Sequence, residues 1–372
     1  MRLYKMELYK ICNRKIFVMG AILVIGILLA DFCIQVVDEE TTVDGITYTG
    51  YKAVQMDRRI TEEFKGVLTD EKVEKIIEKY GLAYYYVSDR GEWSFHENFL
   101  NGLVNDYLSD KYVQNWYSDY GDYIAEKNIY PVADSKLGTV REITGQEIIL
   151  EYYGGWHTFF EIIHTGMISG SILILFSVSV IFVNERQTNM LQLIFTTREG
   201  REKEVYAKIA AAMTVAVSVW AVILILNLLL CGIVYGLDGL GCYKGMVTGY
   251  FSMEYYSMIP LRSYVMKAIM LSFFGIVSLC AITICVSVNA RNNLNAFTVA
   301  LTCYVAPVVA SLFMDNEDGV IKILCFTPIY MVVHSVIDYI YNIWILLLVI
   351  SILLSISCTI RAYRKYSRQQ VI

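Results

Sequence analysis

Charge and proline are both scarce in this chain. Of 372 residues, 18% are charged and four are proline, against about 25% charged in an ordinary soluble domain. With 56% hydrophobic residues, the balance excludes a disordered chain and a cytosolic enzyme of ordinary type. No G-x-x-x-x-G-K-S/T run occurs, so the chain lacks the loop whose backbone amides and lysine hold nucleotide phosphates. The glycines of GLDGLGCYKGMVTG (236–249) lack that spacing and read as loop or close-packing positions. No cysteine lies between 38 and 161, which removes a disulfide framework from the longest polar segment. Six of the nine cysteines (Cys33, Cys231, Cys280, Cys285, Cys303, Cys358) fall in apolar runs, as small hydrophobes do. Cys242 and Cys325 could both face outward, and spacing alone does not pair them.

What the chain does have is apolar length. A hydrocarbon core of ~30 Å takes about 20 apolar residues in a helix. Six runs qualify: 16–37, 162–183, 209–234, 264–288, 294–314 and 342–360. The first is too long for a cleaved signal peptide, and no small-residue cleavage site follows it. The fold class expected is an all-α membrane protein of six transmembrane helices. Residues 38–161 form an extracytoplasmic domain, α+β or mostly helical, inserted between helices 1 and 2. Charge supports this threading. The segments expected inside hold 15 basic and 5 acidic residues, whereas 38–161 holds 12 basic and 24 acidic. Positive residues are retained on the cytoplasmic side, so both termini are expected in the cytoplasm of a cell-membrane, multi-pass protein. The bases sit at the ends of apolar runs rather than on one folded face, which excludes a nucleic-acid partner.

Segment 319–341 is long and fairly apolar, yet it carries Lys322, Pro328, His334 and Asp338. Such residues are expensive in lipid, and a seventh span would put the basic 361–372 tail outside. An outer or re-entrant hairpin is expected instead, with His334 and Asp338 as a local i, i+4 pair. Within the insert, Thr69 caps a helix over 70–80 that ends at Gly81, with Val73, Ile76, Ile77 and Tyr80 in one stripe. A second helix is expected over 96–108, and 84–87 reads as a short strand or packed turn. The 235–263 loop, rich in Tyr and Gly, is expected at the outer interface.

Two inner segments stand out. Residues 1–15 read as an amphipathic interfacial helix. The 184–208 loop carries an apolar patch (Leu191, Ile194, Phe195) rimmed by Arg186, Arg198 and Arg201, which suits docking to another protein. Taken with the six spans, the large first insert and the Pro-containing hairpin, this arrangement resembles the permease subunit of a type-2 ABC transporter, an exporter family. Glu7 and Lys10 ahead of the first span carry the resemblance, as do Glu185, Leu191, Leu193, Thr196, Thr197, Arg201 and Lys208 in the loop. The chain departs from the pattern at Thr188-Asn189, where a Gly-Thr pair is expected, and at Arg198, where a proline is expected.

The resemblance implies an ATP-driven exporter in which this chain forms the path and is not itself an enzyme. It implies a second permease, identical or different, and a separate ABC ATPase holding ATP and Mg²⁺, with no cofactor bound here. Glu185, Arg186, Leu191, Ile194, Phe195, Arg198, Arg201 and Lys208 would couple to that ATPase. The substrate class would be a peptide or other amphipathic molecule.

Three further patterns have plainer readings. Gly166-x-x-x-Gly170 marks a close-packing face on the second span, within the chain or toward a second permease. His157, Glu161 and His164 stand at i, i+4 and i+7, so a helix would align two imidazoles and a carboxylate as weak metal candidates. They match no H-E-x-x-H pattern and read as polar residues at the watery end of a span. Asn227 reads as an interhelical hydrogen bond and Asp31 as a snorkelling or capping acid. Two other functions stay open: a membrane receptor or sensor that reads a ligand with its insert, and a membrane-embedded metal-dependent hydrolase using His157, Glu161 and His164.

Overall fold

The computed structural model describes residues 2–81, 84–87, 92–95, 97–104, 147–188, 190, 196, 202–247, 259–312, 322–333, 337, 340 and 342–368. In chain order the elements are α1 (Arg2–Cys12), α2 (Lys15–Asp38), β1 (Glu40–Val43), β2 (Ile46–Thr49), α3 (Tyr51–Phe64), β3 (Gly66–Val67), α4 (Asp70–Tyr80), β4 (Tyr84–Val87), β5 (Glu92–Phe95) and β6 (Ile149–Leu150). They continue with α5 (Gly154–Val178), α6 (Val183–Gln187), α7 (Lys203–Val234), α8 (Lys244–Val247), α9 (Leu261–Asn289), α10 (Asn293–Leu312), α11 (Pro328–Met331) and α12 (Trp344–Ser367).

Among the described residues six helices are long and apolar enough to cross a membrane: α2, α5 with its continuation through α6, α7, α9, α10 and α12. The protein is a mostly helical, multi-pass membrane protein. Several helices outrun their apolar segments. The third crossing begins at Lys203 rather than 209, and the last runs to Ser367, past 360. Apolar length is matched to the bilayer, whereas helix ends are set by where backbone hydrogen bonding stops. Arg364 and Lys365 consequently lie in the last turn of α12, where cations meet the orphan carbonyls.

The chain forms two compact units, 1–30 with 160–227 and 266–372, and 31–159 with 228–265. In the first unit α5 and α9 are central: 72% and 56% of their apolar windows are buried, against 17% for α2, α7 and α10. The peripheral helices thus turn apolar flanks outward, as a lipid-facing surface requires. Leu175, Leu279, Ala300, Tyr304 and Ile329 form a core that joins α5, α9, α10 and α11. Gly166 packs against α2 and α7. A Cβ there would lie 2.7 Å from Leu28 and 2.9 Å from Ile223, and one on Gly170 would collide with Ile223. These glycines are a close helix–helix contact within the chain. Trp220 Nε1 donates to Ser272 Oγ at 3.0 Å, and Ser351 Oγ donates to the Phe274 carbonyl at 3.0 Å. Both tie a peripheral helix to α9.

The second unit opens with the last turns of α2, from Asp31, and continues into a hairpin. β1 and β2 pair antiparallel, with Glu40 opposite Thr49 and Val43 opposite Ile46. Asp44 and Gly45 make the two-residue turn, both at positive φ (52° and 74°), the geometry that matches strand twist. α3 buries Val54, Asp57, Ile60 and Phe64 along one side. α4 lies where the sequence predicts it: Thr69 Oγ1 accepts from the Lys72 amide at 3.3 Å, and Gly81 ends the helix at φ 71°. It buries Val73, Ile76 and Ile77, each worth about 1.5–3 kcal/mol. Residues 84–87 are a strand, paired antiparallel with 92–95, and 99–104 are helical. Residues 97 and 98, within the helix expected over 96–108, precede this helical run, with Asn98 Oδ1 accepting from the Leu100 and Asn101 amides; 96 and 105–108 lie outside the described residues.

Segment 228–265 belongs to this unit. Tyr243 Oη donates to the Glu147 carbonyl at 3.1 Å, the Gly239 amide donates to Glu151 Oε2 at 3.1 Å, and Arg58 pairs with Asp238 at 3.3 Å. Cys242 and Cys325 are both free thiols.

Candidate functional site

Three carboxylates and a lysine from distant parts of the chain meet in the first unit. α1 is amphipathic and buries Glu7 with Ile11, one turn apart. α6 buries Glu185. α7 opens with Glu204 and Lys208 at i, i+4, neighbours on one helix face. The Lys208 ammonium is 1% exposed. It donates to Glu7 Oε2 at 3.1 Å and to Glu185 Oε1, and it pairs with Glu204 Oε1 at 3.2 Å. Lys10 pairs with Glu7 at 2.5 Å and Glu185 at 3.6 Å from the exposed edge. Tyr366 Oη, at the end of α12, donates to Glu185 Oε2 at 3.2 Å and stacks edge-on against Phe182. Burial pushes the Arg14 guanidinium below its ordinary value, while Glu7 and Glu185 oppose that shift.

A buried charge is tolerated only when paired and hydrogen-bonded, and here one ammonium satisfies three acids. Glu7, Glu185 and Glu204 are also the group whose carboxylate oxygens converge as metal ligands would. Lys208 supplies the cation at that point, so the cluster is an internal clasp joining α1, α6, α7 and α12. His157, Glu161 and His164 form no convergent set among the described residues. The His157 Nδ1 lies 2.6 Å from the Val247 carbonyl.

Of the residues singled out for coupling, the structure brings Glu185 and Lys208 into contact. It places Arg186 on the C-terminal end of α9: Nη1 donates to the Ala290 carbonyl at 2.5 Å and Nη2 to that of Val288 at 3.2 Å. Leu191, Ile194, Phe195, Arg198 and Arg201 lie outside the described residues, as do His334 and Asp338. Sequence reading reached Glu7 and Lys10 only through the resemblance and missed Glu204 and Tyr366 as members. The Glu204–Lys208 spacing was the available signal.

A second concentration of acids lies within the other unit. A cavity of about 250 Å³ is lined by Glu39, Asp57, Glu97, Phe99, Tyr152 and Tyr153, among others. Phe99 packs on both tyrosines, with ring centroids 4.9 and 4.6 Å apart. Asp57 accepts from Thr41 Oγ1 at 2.6 Å and from the Phe99 amide at 3.2 Å. Burial pushes its carboxyl up to about 7, the two hydrogen bonds oppose that rise, and Glu39 and Glu97 add to it. Burial also raises Glu39.

Compared with protein-family models, characterised proteins and solved structures, the chain matches none.

Proposed function

We propose that this chain is the permease subunit of an ATP-driven ABC exporter in the cell membrane, with both termini cytoplasmic. In this reading it pairs with a second permease, identical or different, and a separate ATPase hydrolyses MgATP. The insert between the first and second spans is extracytoplasmic. The observation that carries the reading is the Lys208 clasp. It binds the helix that precedes the first span to the segment that ends the second and to the start of the third. A force applied to the 188–203 loop, which joins Glu185 to Glu204, would therefore move α1, α6 and α7 as one body. A device that couples a partner's nucleotide cycle to membrane helices needs that rigidity.

The test is affinity purification of the tagged full-length chain from its native membrane, with the co-purifying ABC ATPase assayed for hydrolysis. Leu191→Asp is expected to abolish co-purification. Joint replacement of Leu191, Ile194 and Phe195 by Ala is expected to leave ATP hydrolysis without export. Full coupling in both variants, or a C-terminal tail labelled from outside the cell, overturns the reading.

A second reading, a membrane receptor, is favoured by the acidic, aromatic-walled cavity of the second unit. It predicts saturable ligand binding by the purified chain without nucleotide or ATPase.

A further inference from the structure

Four carboxylates, Glu39, Glu40, Asp57 and Glu97, line the cavity of about 250 Å³ in the second unit, and among the described residues no lysine or arginine does. The imidazole in its lining, His157, has Nδ1 2.6 Å from the Val247 carbonyl. Arg58, next to Asp57 in sequence, pairs with Asp238. Glu39, Glu40 and Asp57 form no ion pair among the described residues. Asp57 is 7% exposed, and both hydrogen bonds that it accepts fall on Oδ1. Its Oδ2 accepts none and, unlike the sealed orphan atoms elsewhere in the chain, opens on the cavity. A buried carboxylate oxygen calls for a donor. Water could donate there, but it would leave the acids without a counter-charge.

We propose that this cavity binds a small primary amine in its ammonium form, with an N–H donated to Asp57 Oδ2, its charge balanced by Glu39, and an apolar body against Phe99, Leu103 and Met246. The acids of the wall do not gather as metal ligands do, since the described carboxylates that converge in that way are Glu7, Glu185 and Glu204 of the first unit. A bare metal ion would also leave the apolar lining uncovered, whereas a few polar groups set in an apolar wall are what an organic ligand uses. A quaternary ammonium has no N–H for Asp57 Oδ2, and a neutral ligand leaves the carboxylates unbalanced. The inference deepens the receptor reading and rests on it for its role; it does not depend on the exporter reading.

The test is isothermal titration calorimetry of the detergent-purified full chain with phenethylamine at pH 8, where Asp57, titrating near 7, carries its charge. Saturable binding by wild type is expected. Phenethyl alcohol, which lacks the charge, and trimethyl(phenethyl)ammonium, which lacks the N–H, are each expected to bind about tenfold more weakly, the scale of one charged hydrogen bond. Asp57→Asn keeps an acceptor for Thr41 and Phe99 and can present a donor where Oδ2 stood, so it is expected to weaken phenethylamine about tenfold. Glu39→Gln is expected to weaken it less. No saturable amine binding, with or without ATPase and nucleotide, overturns the proposal. So does equal affinity for either analogue, displacement of the amine by equimolar Ca²⁺, or unchanged affinity in both variants. Amine binding that appears only with ATPase and nucleotide present supports the site and removes the receptor reading. Binding of the alcohol alone removes the amine site and leaves that reading standing.

Discussion

In the first unit, Glu7, Glu185 and Glu204 surround the Lys208 ammonium; in the second, Asp57 is held by the Thr41 hydroxyl and the Phe99 amide, with Glu39 and Glu97 as its charged neighbours. Both regions bury acids. One gathers them on the buried Lys208 ammonium, with Lys10 pairing two of them from the exposed edge, and the other surrounds a carboxyl with neutral donors and like charge. The balanced region can be rigid only while its cation stays, since removing one partner strands the others. The unbalanced region can hold a proton near neutral pH, because Asp57 is pushed up to about 7. A clasp and a proton-sensitive cavity wall thus arise from the same residue types.

The sharpest way to break this comparison is Lys208→Met. Three buried carboxylates would lose their shared cation, and the expected cost is about 3–5 kcal/mol, read as a lowered unfolding midpoint in detergent. A loss no larger than that of a surface variant would mean that the acids escape to water and that the clasp is not a structural unit.

Asp57→Asn addresses the other side. Because the folded carboxyl titrates near 7 and an ordinary one near 3.8, the folded chain holds a proton that the unfolded chain has released. Stability therefore falls as pH rises between these values, and the whole penalty is present above the upper one. The amide keeps an oxygen for Thr41 and Phe99 and carries no charge. Asp57→Asn is expected to stabilise the protein by about 2–4 kcal/mol at pH 8, and by little at pH 4. Parallel wild-type and variant curves from pH 4 to 8 would remove Asp57 as the titrating group.

The membrane-spanning helices were legible in the sequence because lipid imposes one length and one polarity on every span. The Thr69 and Gly81 boundaries of α4 were legible because caps are local. The clasp was legible only in part. Glu204 and Lys208 are four residues apart on one helix, but Glu7 lies 201 residues from Lys208, and no periodicity links them. Segment 228–265 shows the same limit. Its contacts pair a backbone group with a side chain far along the chain, as Tyr243 Oη with the Glu147 carbonyl and the Gly239 amide with Glu151, or join Arg58 to Asp238 across 180 residues, and no local pattern links such partners.

Thr41→Val gives a smaller effect with a distinct signature. It removes a hydroxyl that donates to Asp57 at 2.6 Å, and losing one partner of a buried polar group costs about 1–3 kcal/mol. That bond opposes the rise of the Asp57 carboxyl, so its loss is expected to move the midpoint of the stability–pH curve upward. A stability loss with an unmoved midpoint would separate Thr41's packing from its role at Asp57.

The smallest effect is expected from Glu204→Gln, which tests whether the clasp needs every charge it has. Glu204 lies 3.2 Å from Lys208 on the same helix. The substitution keeps an amide oxygen at that point and leaves Glu7 and Glu185 to pair the ammonium. It also relieves repulsion among three acids whose oxygens lie within 4.8 Å of one another. Loss of attraction and loss of repulsion nearly cancel, so the net change is expected within about 1 kcal/mol. A cost approaching that of Lys208→Met would show that Lys208 needs all three carboxylates to offset its burial. The clasp would then resemble the Asp57 cavity in being set by the last unbalanced charge rather than by its central pair.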